Sequence, residues 1–200
     1  MRLSSVLLLL IGTLRPPILA GQSACTDVSS FDFPNRVIVA HREARPVFYG
    51  TFNGPAPGGT IRLRNGRFYE WDEPTGVSKK NTKPDWLTEI NRDLVVHPPQ
   101  SAGVRLLSLV RTHLSGTGSF TYILGFTCQD GSLSKIFEAS GQGLNLVKVT
   151  DAAMDLAVAI WAERDSHASP SSVVSLHYVW SPRLKRYVRS SSNAACLWMP

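Results

Sequence analysis

The sequence lacks the short motifs of the common enzyme classes. It has no G-x-S-x-G nucleophile turn, no H-E-x-x-H zinc motif, no phosphate-binding loop and no calcium loop with its ladder of acidic residues. The stretch Gly116-Thr117-Gly118 lacks the third glycine and the following helix of a dinucleotide-binding fold, so it predicts a turn. These absences argue against the corresponding enzymes, and we expect no cofactor.

Cysteine is scarce, with 3 in 200 residues, and no two cysteines form a C-x-x-C pair. A zinc site built on thiolates is therefore excluded. One internal disulfide can form after export, and three pairings are open. Cys25 and Cys196 lie at opposite ends of the mature chain, and their pairing, which would pin both termini, is the one we expect. Cys128 continues the alternate residues from Phe120 to Phe126 on one strand face, which predicts a buried, unpaired thiol.

The chain also lacks an apolar run of the ~20 residues needed to cross a membrane. Its N-terminus has Arg2, a short apolar run from Val6 to Leu14, and then Arg15 with two prolines. This pattern predicts a cleaved secretory signal ending at Ala20, with Ala24 as a second cleavage position. We therefore expect an exported protein, periplasmic or extracellular, with no transmembrane span in the mature chain. A buried N-terminal strand or helix is the alternative.

The cysteine nearest the expected cleavage site raises a lesser alternative, a lipid anchor on Cys25. Bacterial lipoproteins carry lipid on the cysteine that follows the cut. Ser23 and Ala24 suit that pattern, but Gln22 stands where leucine is usual. The expected organisation is a signal peptide at residues 1–20, a single β-rich domain at 21–190 and a C-terminal tail at 191–200.

Strong charge of one sign is also missing. The 21 basic and 15 acidic residues give +6, and removal of Arg2 and Arg15 with the signal leaves 19 − 15 = +4. The charges are scattered, so we expect no nucleic-acid partner. Mild basicity suits an anionic cell-envelope polymer, and a secreted protein is the other partner we consider.

Short apolar runs separated by turn residues predict a mostly β fold, an antiparallel sheet or a β-sandwich of hairpins with at most one or two short helices. Thr60–Trp71 predicts a hairpin around Asn65-Gly66. The runs from Val104 to Ala139 predict a three-stranded meander. Asp85–Val96 predicts a short helix or a helical turn leading into a strand, and Leu156–Ala162 is compatible with either a helix or a strand.

Few polar residues cluster in a way that suggests catalysis. Asp165 and His167 lie in a predicted loop, and with His177 they are the weak catalytic candidates, since a carboxylate can orient an imidazole as a base. Asp151 and Asp155 could share a cation, although a solvated turn explains that spacing more simply. The chain has 5 tryptophans, which are more often core residues than a ligand platform.

The C-terminal third resembles exported bacterial domains of the mycobacterial LppP/LprE lipoprotein type. The resemblance is carried by Phe120–Phe126, by Asp130-Gly131-Ser132-Leu133, by Asp165–Ser171 and by Tyr178-Val179-Trp180. It implies a β-rich envelope module with no known catalysis. The C-C-P-S segment of that family is replaced by Ala168-Ser169-Pro170-Ser171, so no thiol or disulfide role transfers from it.

Taken together, these features predict a non-catalytic binding or envelope module. The alternatives are a hydrolase whose site assembles from distant loops, and an inhibitor of a secreted enzyme.

Overall fold

The computed structural model describes residues 25–41, 59–70, 83–116, 118–161, 170, 172–190 and 196–198. Within them the chain is mostly β, with two short 3-10 turns at Val28–Ser30 and Phe33–Asn35. The strands are β1 (Val37–Ala40), β2 (Gly59–Arg62), β3 (Arg67–Glu70), β4 (Trp86–Val96), β5 (Val104–His113), β6 (Ser119–Gln129), β7 (Ser132–Gly141), β8 (Leu144–Val149), β9 (Ala153–Ile160), β10 (Ser172–Ser181), β11 (Arg186–Arg189) and β12 (Cys196–Trp198).

Strands β3 to β7 form a central five-stranded sheet in chain order, antiparallel throughout. The meander predicted from Val104 to Ala139 is confirmed as β5, β6 and β7. Asp130 and Gly131 turn the chain between β6 and β7, both with positive φ. Aspartate and glycine are residue types that tolerate this left-handed geometry, which a two-residue hairpin turn requires.

The hairpin predicted at Thr60–Trp71 is confirmed only at its turn. Asn65 and Gly66 both have positive φ, and Arg64 and Arg67 form an isolated bridge across the turn. Beyond this bridge the two arms separate: β2 pairs with β1, and β3 joins the edge of the central sheet beside β4. The chain thus uses this turn to pass between two sheets.

The helix expected within Asp85–Val96 is wrong, because that segment is almost entirely strand β4. A bulge between Ile90 and Arg92 shifts the register against β5. Before the bulge Ile90 packs on one face of the sheet, and after it Leu94 packs on the other. The bulge therefore explains the helix-like spacing of the apolar residues, since one strand supplies both faces.

A second sheet has the order β11-β10-β9-β8, with β12 also paired to β10. Of the segment Leu156–Ala162, compatible with helix or strand, residues 156–160 belong to strand β9, between β8 and β10, and Ala162 lies outside the described residues. The chain passes from β7 into this sheet through Gly143, whose φ is +65°. A Cβ there would lie 2.6 Å from the Trp161 ring. Cys196–Trp198, within the expected tail, pairs with Ser172–Val174.

The central sheet is buried on both faces and separates two apolar cores. One core lies between the two five-stranded sheets, and its largest contributors include Ile123, Phe137, Met154, Leu156 and Trp180. The other lies beneath the N-terminal segment and the β1–β2 pair, and it includes Phe33, Ile38, Leu109, Tyr122 and Leu124. The fold therefore has three layers, of which the N-terminal one is the thinnest.

Arg105 fastens the N-terminal layer to the central sheet. Its Nε and Nη2 each donate a 2.7 Å hydrogen bond to the Asp93 carboxylate. Its Nη1 donates to the carbonyl oxygens of Phe31 (2.6 Å) and Ser29 (2.9 Å), and its guanidinium lies 5.0 Å from the Phe33 ring centroid. One largely buried cation thus satisfies backbone carbonyls that no strand or helix pairs.

The disulfide joins Cys25 to Cys128, which corrects the expected Cys25–Cys196 pairing. The two Cα atoms are 5.3 Å apart, and the Cys25 amide donates a 2.8 Å hydrogen bond to the Gly131 carbonyl. Cys128 does lie on the packed face of β6, as its spacing predicts, but it is not an unpaired thiol. That face is the one covered by the N-terminal segment, so Cys128 meets Cys25, while Cys196 belongs to the second sheet.

The expected signal peptide at residues 1–20 lies outside the described residues. Among the residues that the structure does describe, no helix is long and apolar enough to cross a membrane.

The double substitution C25S/C128A should lower the free energy of unfolding by about 2–4 kcal/mol, because the bridge closes a loop between residues 103 apart. Urea denaturation measures this loss. The matched control C196S leaves the bridge intact, so a reducing agent should lower its free energy of unfolding as much as that of wild type. Uptake of a thiol reagent by unreduced, denatured C196S would contradict the Cys25–Cys128 pairing.

Candidate functional site

Of the three predicted catalytic candidates, only His177 lies within the described residues. Asp165 and His167 lie outside the described residues, so their role stays a prediction. His177 lies on β10 and its Nδ1 is 2.5 Å from the Asp155 Oδ1 of the neighbouring strand. Both side chains are about one-third exposed. A carboxylate held at Nδ1 orients the imidazole and leaves Nε2 as the nitrogen available for chemistry.

Asp151 and Asp155, considered from the sequence as two carboxylates that could share a cation, contact different residues. Asp151 accepts a 2.8 Å hydrogen bond from the His97 amide, whereas Asp155 faces His177. Burial raises the pKa of Tyr187 to about 12, and the Asp151 charge adds to this rise. The two aspartates thus act in separate contacts.

A hydroxyl residue completes a row with Asp155 and His177. The Ser190 amide donates to the His177 carbonyl at 2.9 Å, which places Ser190 opposite His177 on the far side of β10 from Asp155. Directly opposed residues of antiparallel strands project from the same face. The order carboxylate, imidazole, hydroxyl across three strands is the order that nucleophilic hydrolases use. Sequence separation hid this row, because 22 residues separate Asp155 from His177.

A groove of about 170 Å³ lies between β1 and the β6–β7 turn. Its walls combine aromatic and aliphatic side chains with backbone, including Phe31, Phe33, Ile38, Phe126, Leu133 and Gly131. Phe31, Phe33 and Phe126 pack with ring centroids 4.9–5.4 Å apart in successive pairs. The groove is therefore a preformed apolar slot beside the disulfide.

The wall formed by β1 is a strand edge, since β2 is the one strand that pairs with β1 among the described residues. The Leu63 amide donates to the Arg36 carbonyl, so the paired residues of the β1–β2 ladder are Arg36, Ile38 and Ala40. Because antiparallel hydrogen bonding alternates, the N–H and C=O of Val37 and Val39 point away from β2. Within the described part of the chain, no hydrogen-bond partner is found for either group of Val37 or for the Val39 amide. The side chains of both valines are more than half exposed.

An ionic cluster closes the far end of this edge. The Lys135 ammonium donates to the Val39 carbonyl (2.8 Å) and to Glu138 (2.6 Å). The Glu138 carboxylate also accepts from the His41 amide at 2.7 Å and lies 2.9 Å from the His41 ring. Burial raises the pKa of Glu138, but the hydrogen bonds from Lys135 and His41 outweigh it and hold the pKa below its ordinary value.

Arg36 lines the groove, and a second arginine, Arg62, lies on the neighbouring strand β2. The Arg36 guanidinium lies 4.4 Å from the Phe31 ring centroid, and Arg62 lies directly opposite Val37 on β2. Asp32, the acid nearest to these residues in the chain, accepts hydrogen bonds from Asn35. Charge complementarity at these arginines therefore favours an acidic ligand.

The groove was not predicted from the sequence, although one signal was present. Phe31 and Phe33 form an aromatic pair in the otherwise polar segment before β1. Two large apolar residues in such a segment indicate a packing or binding role. The openness of the β1 edge has no sequence signal, since it depends on which strand β2 pairs with.

Three tryptophans, Trp86, Trp161 and Trp180, are core or supporting residues. Trp161 and Trp180 are 6% and 7% exposed. Trp86 stacks under the Arg111 guanidinium (4.5 Å) and against His113 (4.6 Å), which ties β4 to β5 at one end of the central sheet. These contacts fit the core role expected for most tryptophans.

Comparison of the chain with protein-family models, with curated proteins and with solved structures found no match.

Glu138 should make the stability depend on pH. Its folded pKa is lowered from the ordinary value of 4.5, so its contribution is present above that value and is lost as pH falls through the folded pKa. The variant Glu138→Gln should therefore lose less stability than wild type over this acidic range, as measured by urea denaturation at a series of pH values.

Glu89→Gln is the matched control, since Glu89 lies 3.6 Å from Arg67 in an ion pair and is 46% exposed. This variant should keep the acid dependence of wild type. An E138Q protein that keeps the full acid dependence of wild type would contradict this role for Glu138.

Proposed function

We propose that this protein is an exported, non-catalytic binding module that captures an extended peptide segment of a partner along β1. The observation that carries the proposal is the open edge at Val37 and Val39 beside an aromatic groove. Strand addition at a sheet edge is a recurrent mode of peptide recognition, in which backbone bonds hold the segment and pockets read alternate side chains.

The geometry defines how such a segment would bind. Its backbone would exchange two hydrogen bonds with Val37 and accept a third from the Val39 amide, up to the point where Lys135 closes the edge. Side chains that point inward would meet the rings of Phe31 and Phe126. Acidic side chains at the rim would approach Arg36 and Arg62. If the partner is a secreted enzyme, the same capture would make the protein its inhibitor.

The expected signal peptide and the resemblance to LppP/LprE-type domains support an exported setting for this module. A disulfide is also the kind of crosslink that persists in oxidising compartments. The Cys25 sulfur is bonded to Cys128, so lipid on Cys25 would require a protein without this bridge. The proposal is therefore a protein released into the periplasm or the medium, with the anchored form as the alternative.

The backbone edge can be tested with one residue changed in two ways. Val37→Pro removes the edge-facing amide, while Val37→Thr keeps it with a side chain of similar shape. Arg36, the preceding residue, already has φ −115° and ψ 160°, which a residue before proline adopts readily. Peptides selected from a phage-displayed random library on wild type should bind V37T equally and V37P about fivefold or more weakly, by isothermal titration.

The selected peptides should also be acidic. Arg62→Glu should weaken their binding most at low salt, because salt screens the interaction between the charges. A selection that yields no peptide family, or one whose peptides bind V37P as tightly as wild type, would overturn strand addition at β1.

A second function, hydrolysis, is favoured by the row of Asp155, His177 and Ser190. In this alternative His177 would take the Ser190 hydroxyl proton while the oxygen attacks an ester or amide carbonyl, with Asp155 holding the imidazolium. The row stands on a sheet face, so it would act on a substrate that lies across the strands.

This second function predicts that a fluorophosphonate probe labels wild type, with the Ser190 oxygen bonded to phosphorus and fluoride released. Ser190→Ala and His177→Ala should abolish labelling, detected by intact mass. Ser175→Ala, on the same face of β10, is the matched control and should label normally. Wild type that takes up no probe would remove this row from consideration.

A further inference from the structure

A second cavity, of about 270 Å³, lies on the other side of the β6–β7 turn from the peptide groove. Three connections meet there: the β4–β5 connection at residues 97–103, the β6–β7 turn and the β10–β11 turn at residues 182–185. Its volume is close to the lower end of the roughly 300–1,000 Å³ typical of ligand pockets.

The cavity is lined by polar side chains of four different kinds. Gln100 and Gln129 supply amides, Ser101 a hydroxyl, Asp130 a carboxylate and Lys185 an ammonium. In the part of the chain that the structure describes, Gln100, Gln129, Asp130 and Lys185 have no side-chain hydrogen bond or ion pair. Their hydrogen-bonding capacity is therefore available to a ligand.

A disulfide and two hydrogen bonds connect the segments around this cavity. The Cys25–Cys128 disulfide forms part of the wall, and the Trp180 indole donates a 3.0 Å hydrogen bond to the Pro99 carbonyl. The Thr127 hydroxyl donates to the Gly103 carbonyl at 2.7 Å. Both bonds tie the β4–β5 connection to the sheets, so the backbone that carries Gln100 and Ser101 is held beside the cavity.

Three of the lining residues also share an uncommon backbone geometry. Gln100, Asp130 and Lys185 have φ of 60°, 50° and 50°, in the left-handed region that glycine or asparagine usually occupies. At two of these positions, Gln100 and Lys185, a long polar side chain is not the residue that the backbone favours, whereas aspartate is tolerated at 130. The turns thus keep glutamine and lysine beside the cavity despite a small conformational cost.

The mixture of groups identifies the ligand chemistry. A simple anion would pair with Lys185 but be repelled by Asp130, and a simple cation would meet the opposite conflict. Vicinal hydroxyl groups avoid both, because each hydroxyl donates to a carboxylate or amide oxygen and accepts from an ammonium or amide N–H. We propose that this cavity binds a neutral saccharide unit, independently of the peptide groove.

Saturation-transfer NMR with methyl α-glucopyranoside, methyl α-mannopyranoside and N,N′-diacetylchitobiose tests the proposal on the full mature protein. At least one sugar should receive saturation and shift the amide signals of Gln100, Gln129 and Lys185. Gln100→Ala and Gln129→Ala should each weaken the binding of that sugar about fivefold, since each substitution removes a hydrogen-bonding amide. Asn145→Ala, an exposed amide on β8, is the matched control and should bind normally.

Val37→Pro should keep the sugar affinity of wild type, which separates this site from the peptide groove. Three outcomes would overturn the proposal: no saturation transfer to any of the three sugars, transfer that both glutamine variants leave unchanged, or shifts at the same residues caused by glycine or inorganic phosphate and not by a sugar.

Discussion

The central sheet is apolar on both faces, and the rest of the molecule follows from the need to cover both. In β5, Leu106 and Leu107 are both completely buried although they point to opposite sides. In β6 the neighbours Ile123 and Leu124 are likewise buried in different cores. One cover is the second sheet, whose strands bury their own apolar face in return. The other is a thin layer made of two 3-10 turns and the β1–β2 pair.

A layer this thin cannot hold itself in place by strand pairing. Its attachment depends on a few strong contacts: the Arg105 guanidinium on its carbonyls, the Cys25–Cys128 bridge and the Lys135–Glu138 cluster. Each of these contacts holds one place in the layer, and between these places the layer leaves gaps above the central sheet. The aromatic groove is one such gap, and it lies beside the same β6–β7 turn that the bridge secures. Binding surface and structural crosslink thus arise from one arrangement.

Much of the fold was predictable because alternation within a strand is a local property. The residues from Phe120 to Cys128 specify a strand with one continuous packed face, and the structure confirms it. The prediction for Asp85–Val96 was wrong, because a bulge changes which residues share a face and imitates helical spacing.

The disulfide and the candidate sites depend on contacts between distant segments. Cys25 meets Cys128 only because the N-terminal layer covers that face of the sheet, and local pattern contains nothing about which cover lies where. The same holds for Asp155 and His177, which become neighbours only through the register of β9 and β10. The β1 edge is open because β2 pairs on its other side, which the sequence does not indicate.

The partial protection of β1 constrains what can bind there. Soluble proteins usually block open edges, and a lysine side chain is a common means. Here Lys135 binds the Val39 carbonyl and leaves the Val39 amide and both backbone groups of Val37, so an incoming segment gains about three backbone hydrogen bonds. At about 0.5–1.5 kcal/mol each, these contribute far less than the roughly 8 kcal/mol of a micromolar complex. Most of the affinity must then come from side chains in the aromatic groove and beside Arg36 and Arg62. Such a site would select its partner by side-chain chemistry, since the backbone bonds alone are too few to hold an arbitrary strand.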